Sequence, residues 1–347
     1  MTTFADAALG IGPPDAAAAD AARRRWDTRV KPPGSLGELE DLAIRLAGIA
    51  GVCPPPALGR PAVVVFAADH GVVAEGVSAW PAEITRLMAA TVLAGDAAIS
   101  AFARSVGASV TVVDVGILPG EPHPLPGLVD GHVADGTANL ARGPAMTGHE
   151  LAQALDVGVR TATTAIDGGA DCLIGGELGI GNTTAAAAVI GAFAPVDAAA
   201  LAGTGAGLPP EQLPAKESIV RAAAAAARGI DDPAERFAAV GGLEVAALAG
   251  FYVGGVARRV PVIVDGVIGC AALLAAEALA PGTTEGCVAG HRSAEPAASI
   301  ALEHLGLQPV VDLGLRLGEG TGAAVAVPVL RAAVAALSEM GELPGIE

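Results

Sequence analysis

The sequence predicts a doubly wound α/β fold on a mainly parallel sheet, and three observations lead there. Short, continuous Val/Ile-rich runs recur from about residue 60. They do not alternate with polar residues, so they read as strands buried on both faces. Ala-rich stretches long enough for helices separate them, and alternating β and α segments specify a parallel sheet covered by helices. Finally, the 47 glycines keep no fixed period and lie mostly where apolar runs end, which marks turns.

Residues 1 to 59 read as helical and then loop-like. Pro32, Pro33 and Gly34 stiffen the start of the clearest piece. Ser35 and Glu38 have capping-box spacing, in which each side chain satisfies the other's orphan N–H. Leu39, Leu42, Leu46 and Ile49 then share one helical face. Gly51 and Pro54–Pro56 end it. The expected strands are 61–67, 109–115, 171–176, 260–265, 285–290 and 308–313. Residues 118–150, rich in Pro, Gly and polar groups, interrupt the rhythm and read as an excursion beside the sheet.

Hydrophobic residues make up 52% but aromatics only 3%, so alanine helices must fill the core. Net charge is −17, and Arg23–Arg25 is the longest basic run. A nucleic-acid surface is not expected. Mean hydropathy is +0.55, yet Glu244, Glu277 and Arg331 interrupt the long apolar runs, so no membrane span is expected. The four cysteines lack CxxC and zinc-like spacing, and the N-terminus lacks a signal-peptide pattern. A cytoplasmic protein without a metal or cofactor is expected.

Ligands of such folds bind beyond the carboxyl ends of the strands. Those ends read "ADHGV" (68–72), "GGELGIGNTT" (175–184), "DGVIG" (265–269), "GHRSAE" (290–295) and "LGEGTG" (317–322). Gly175, Gly176, Gly179 and Gly181 would let backbone N–H groups approach an anion, with Asn182 opening a helix; a capped strand-to-helix turn explains them about as well. Around Gly205 lies a second glycine turn, followed by Lys216. Lys216 would give a phosphate a point charge, although a surface lysine is the simpler reading. Asp265 suits a ribose hydroxyl or a helix N-cap, and Ser293 suits a cap or a ligand. Trp80, beside Ser78 and Pro81, could stack on a flat substrate. Asp69 and His70 read equally as an acid–base pair and as a strand-end turn. Glu319 stands inside a glycine turn, where it would repel a phosphate. It serves either the helix dipole or proton abstraction from a weakly acidic N–H.

Together these segments resemble the nicotinate-nucleotide–dimethylbenzimidazole phosphoribosyltransferase family. The resemblance rests on "KPPGSLGELEDLA", "ADHGVVAEGVSA", "GELGIGNTTAAAA", "GTGAGL", "VDGVIGCAALLA", "GHRSAEPA" and "LRLGEGTGAA", in the family's order over nearly the whole chain. It implies a Rossmann-like domain over 60–335, a small helical domain over 1–59 joined by 336–347, and a homodimer. The implied reaction moves phosphoribose from nicotinate mononucleotide to 5,6-dimethylbenzimidazole and needs no metal. Glu319 is the implied general base, with Glu177 near the reacting centre. Gly179, Gly181, Asn182, Gly205, Lys216, Asp265 and Ser293 match phosphate and ribose positions. Ser78, Trp80 and Leu317 match the pocket for the base. Ala82 stands where the family often has Gln, so related bases remain possible acceptors. Two other readings stay open. A glycohydrolase would use water as acceptor, and a nucleotide sensor would release no nicotinate at all.

Overall fold

The computed structural model describes residues 2–194, 196 and 200–343. Six strands form one sheet: β1 (Pro61–Ala68), β2 (Ser109–Gly116), β3 (Val129–Asp130), β4 (Cys172–Leu178), β5 (Val262–Val264) and β6 (Cys287–Ala289). All neighbours run parallel, in the order β3-β2-β1-β4-β5-β6. The helices before the sheet are α1 (Phe4–Leu9), α2 (Ala16–Asp27) and α3 (Glu38–Ala50). Within it come α4 (Glu83–Ala94), α5 (Ala98–Val106), α6 (Gly148–Asp167), α7 (Asn182–Phe193), α8 (Leu213–Arg228), α9 (Pro233–Val240), α10 (Leu243–Ala257) and α11 (Val267–Leu279). After β6 follow α12 (Pro296–Leu305) and α13 (Thr321–Glu339).

Every residue of β1 is buried, because helices cover both faces. Val64 and Phe66 join a core containing Leu248 and Phe251 of α10. Val63 and Val65 join the opposite core, with Ile99 of α5 and Val327 and Leu330 of α13. Alternate side chains therefore go to opposite layers, as the strand period requires. By length and composition α13 could cross a membrane, but here that apolar length fills the second layer. Its later turns, Ala333 and Leu337, pack with Ala22, Trp26, Ala43 and Ala47 of α2 and α3.

The chain lays β2 and β3 on one side of β1, then returns to place β4 on the other. That reversal opens a crevice at the carboxyl ends of β1 and β4, the usual ligand position.

Local expectations needed correction. Residues 308–313 form no full strand. Val310 N and Val311 N donate to Ala289 O and Gly290 O, and Val311 bridges His291, but the pairing goes no further; Pro309 has no N–H and the outer flank faces solvent. Conversely, β3 arises inside the expected excursion. Both its residues are exposed, so no apolar run marked it. The Ser35–Glu38 capping box does not form either. Gly37, at φ 55°, is the N-cap of α3 and makes no side-chain cap. Instead Glu40 accepts from Leu36 N at 3.0 Å and from Lys31 Nζ at 2.7 Å.

Candidate active site

At the crevice lies a cavity of about 550 Å³, within the size range of small-molecule sites. Segments 77–88, 177–183, 204–207, 266–268, 291–295 and 316–319 contribute its walls. Ser78, Trp80, Glu177, Gly179, Gly181, Asn182, Gly205, Ser293, Leu317 and Glu319 all line it. Two expected residues, Lys216 and Asp265, do not, and neither do Asp69 and His70.

Glu177 and Glu319 meet because of one glycine. A Cβ on Gly176 would lie 2.6 Å from the Glu319 carbonyl carbon and 3.0 Å from Gly320 N. Without a side chain there, the 318–320 turn lies directly on β4. Gly176 thus admits the protein's own backbone, whereas the sequence reading assigned that approach to a ligand. Glu319 itself takes φ 63°, an uncommon left-handed conformation for a non-glycine residue, and is 3% exposed.

Asp265 explains what Glu319 does not do. Its Oδ1 accepts from Ala323 N at 2.9 Å and its Oδ2 from Gly320 N at 3.2 Å. It therefore caps α13, not its own helix, and both its oxygens are engaged by protein. This argues against the ribose reading of Asp265 in this conformation. It also leaves Glu319 without a capping task, and Glu319 Oε2 is buried with no hydrogen-bond partner among the described residues. Burial pushes the Glu319 carboxyl up, the Ile99 amide opposes this, and Asp265 adds to the rise.

Glu177 is more perturbed. Burial pushes it well above 4.5, and the Asp265, Glu244 and Glu319 carboxylates push the same way, against the Glu319 backbone N–H. Asn182 is the first residue of α7, with Gly181 as N-cap. It donates its side-chain N–H to Glu177 Oε2 rather than capping the helix. A raised folded-state pKa means that ionising Glu177 costs stability. The penalty grows as pH rises above about 4.5, saturates above the raised value, and is absent in acid. Glu177→Gln is therefore expected to raise the melting temperature of the ligand-free protein more at pH 8 than at pH 5. At roughly 2 °C per kcal/mol for a large domain, calorimetry resolves the difference. An equal shift at both pH values would refute it.

The loop of residues 203–205 is tied by three distant side chains. Lys216 Nζ donates to Gly203 O at 2.8 Å and to Thr183 Oγ1 at 2.9 Å. Gly205 N donates to Glu295 Oε1 at 3.0 Å, and Arg316 Nη1 donates to Gly205 O at 2.8 Å. Lys216 is 1% exposed, which overturns the surface-lysine reading. Burial pulls it down to about 8, with Glu295 resisting. The Gly205 N–H is already engaged by a carboxylate, so a phosphate there must displace Glu295. Ser293 Oγ accepts from Glu295 N at 3.3 Å, and Glu295, not Ser293, is the N-cap residue of α12.

The other half of the cavity is apolar. Ile84, Leu87, Met88, Leu178 and Leu317 face it with Trp80. Trp80 is 51% exposed; its N donates to Ser78 Oγ and its Nε1 to Ala206 O, each at 3.1 Å. Sequence reasoning noted Thr183 as a helix-start residue and Glu295 in its strand-end segment without selecting either for the site, and it missed Arg316. Each adjoins or nearly adjoins a residue it did select, but only the fold shows that they converge on one loop. Among the described residues, no group of three His, Cys, Asp or Glu side chains is placed to hold a metal.

Residues 11–344 match the phosphoribosyltransferase family. A nicotinate-nucleotide–dimethylbenzimidazole phosphoribosyltransferase of Salinispora tropica is 49% identical over 346 residues, covering 95% of this chain and 94% of that one. The protein of that name from Mycobacterium tuberculosis is 47% identical over 337 residues, covering 96% and 92%. A crystal structure of CobT from Thermus thermophilus superposes with TM-score 0.90 at 47% identity, covering 94% and 97%. By sequence and by fold, the chain belongs to the nicotinate-nucleotide–dimethylbenzimidazole phosphoribosyltransferase family.

Proposed function

We propose that the protein transfers phosphoribose from nicotinate mononucleotide to 5,6-dimethylbenzimidazole or a related base. The products are nicotinate and α-ribazole 5′-phosphate, used in assembling the lower ligand of cobalamin. One observation carries the reading. Two buried acids, Glu177 and Glu319, line the same cavity as a tied glycine loop and an apolar slot. The slot suits a flat methylated ring, and the loop with Lys216 behind it suits the phosphate end.

The imidazole nitrogen of the base attacks C1′ of the ribose from the face opposite the pyridinium. The C1′–N bond to nicotinate breaks and its electron pair stays on the pyridine nitrogen. Nicotinate thus leaves as a neutral ring without acid assistance. The attacking base gains positive charge, and Glu319 removes its remaining N–H proton. A raised pKa improves the match between a carboxylate and proton transfer near neutrality. The surroundings that raise the Glu177 pKa favour its neutral form, which can donate a hydrogen bond to the sugar and puts less negative charge beside Glu319.

A cytoplasmic homodimer is part of this reading, as the resemblance to the family implies, and the net charge of −17 disfavours a nucleic-acid partner. Product analysis tests the reaction, using nicotinate mononucleotide with and without benzimidazoles, purines or phenols. Nicotinate release is expected only with an acceptor, alongside one α-nucleotide. Release into water alone would make the protein a glycohydrolase, and no release under any condition would make it a sensor.

A further inference from the structure

Asp69 and His70 follow β1, yet neither lines the cavity. His70 lies beneath the cavity wall, with Nε2 2.7 Å from Glu244 Oε1 at the start of α10, and both side chains are fully buried. A Cβ on Gly179 would lie 3.3 Å from His70 Nε2, and one on Gly181 would lie 3.3 Å from His70 Cβ. On the other side, a Cβ on Gly242 would lie 2.5 Å from His70 Cε1. The imidazole is thus wedged between the Gly179–Gly181 loop and the first turn of α10. Thr137 bridges its backbone, and Thr85 Oγ1 accepts from Ile180 N at 3.0 Å to hold the middle of the loop.

Stability alone does not account for this pair. Charges removed from water are costly, and buried ion pairs often contribute less than apolar residues of the same volume. Here His70 Nδ1 and Glu244 Oε2 also lack hydrogen-bond partners among the described residues. Burial would pull His70 down, but Glu244 and then Asp69 outweigh it and hold the imidazole above its ordinary value. Asp69 is itself pushed up, by burial first, and Glu244 also acts on Glu177. The pair is therefore a buried, hydrogen-bonded polar wedge beneath the loop whose two ends carry Glu177 and Asn182.

We propose that His70 and Glu244 are positioning residues for phosphoribosyl transfer: as a buried pair they brace the Gly179–Gly181 loop and thereby hold Glu177 and Asn182 in place against the reacting sugar. This inference rests on the transfer reaction proposed above. Positioning errors of about 1 Å distant from the chemistry can cost about 10²-fold in rate.

The test compares full-length wild type with His70→Gln, Glu244→Gln, the double variant and Leu155→Ala. Leu155 is a buried α6 residue whose backbone lies against Gly250 of α10, away from the loop. Wild-type transfer in the same assay separates failure of the brace from failure of the reaction assignment. Each single variant is expected to lose about 10- to 100-fold in kcat. The KM for the accepting base should stay within about threefold, since the apolar slot is untouched. The double variant should be no worse than the poorer single, because the two residues act as one unit. Leu155→Ala should lower the melting temperature and leave kcat within about twofold. If either Gln variant fails to fold, Glu244→Asp, which keeps the charge but shortens the reach, should show the same kcat loss. Folded variants with wild-type kcat, multiplicative losses in the double, or an equal kcat loss in Leu155→Ala would each overturn the proposal.

Discussion

Glu319→Gln is expected to lower kcat by about 10²–10⁴-fold, with KM for nicotinate mononucleotide within about threefold. The substitution keeps the shape of the side chain and removes only its capacity to take a proton. Asp265, not Glu319, satisfies the N–H groups at the start of α13, so the helix loses no cap. Among the described residues, Glu319 Oε2 has no partner to lose. The fold should therefore tolerate the change, and removing a buried carboxylate is expected only to relieve Glu177, on which it acts electrostatically. A defect confined to kcat is the signature of an interaction made in the transition state. In wild type, kcat should fall as pH drops through the Glu319 pKa, which burial has raised, and this acid limb should disappear from the residual activity of the variant. Steady-state assays of nicotinate release across pH check both statements. Wild-type turnover in Glu319→Gln would overturn the proposed role of Glu319 as general base.

Gly176→Ala should be nearly as damaging, although Gly176 touches no substrate in the proposed reaction. Its new methyl group would fall 2.6 Å from the Glu319 carbonyl carbon, closer than real contacts permit. The 318–320 turn has to lift off β4, separating Glu319 from Glu177. Overpacking of this kind costs about 1–3 kcal/mol, and misplacing the base by about 1 Å costs about 10²-fold in rate. Gly143→Ala provides the control, because nothing lies within 4 Å of its added Cβ. The expected result is a folded Gly176→Ala protein with a lower melting temperature and at least about 10²-fold lower kcat, beside an unaffected Gly143→Ala. Equal activity in the two variants would show that the close approach of the turn is not what sets the acids.

Most of the positions selected from the sequence come together because they lie in or near glycine-bearing turns, and such a turn is a local pattern. Ten of the twelve selected residues line one cavity. The exceptions are instructive. Asp265 sits at the expected strand end, but its carboxylate turns to α13, a helix 55 residues later in the chain. Lys216 reads as a surface residue by its helical turn, yet the Gly203 carbonyl and Thr183 draw it inside. Strand 308–313 failed because periodicity cannot detect that its pairing with the end of β6 stops after two residues, and β3 escaped because two exposed residues carry no periodic signal.

Local patterns in the chain determined the alternation of strands and helices, the apolar character of each strand and the places where turns expose backbone. Those properties depend on residues a few positions apart, so they are written in the sequence. Which turn rests on which strand was decided only in the folded molecule. Glu244 reads merely as a charge interrupting an apolar helix until the fold sets it against His70, 174 residues away. Glu319 and Glu177 likewise acquire their raised pKa values only when packing removes water from both. Burial and long-range electrostatics belong to the assembled layers, and no local pattern contains them.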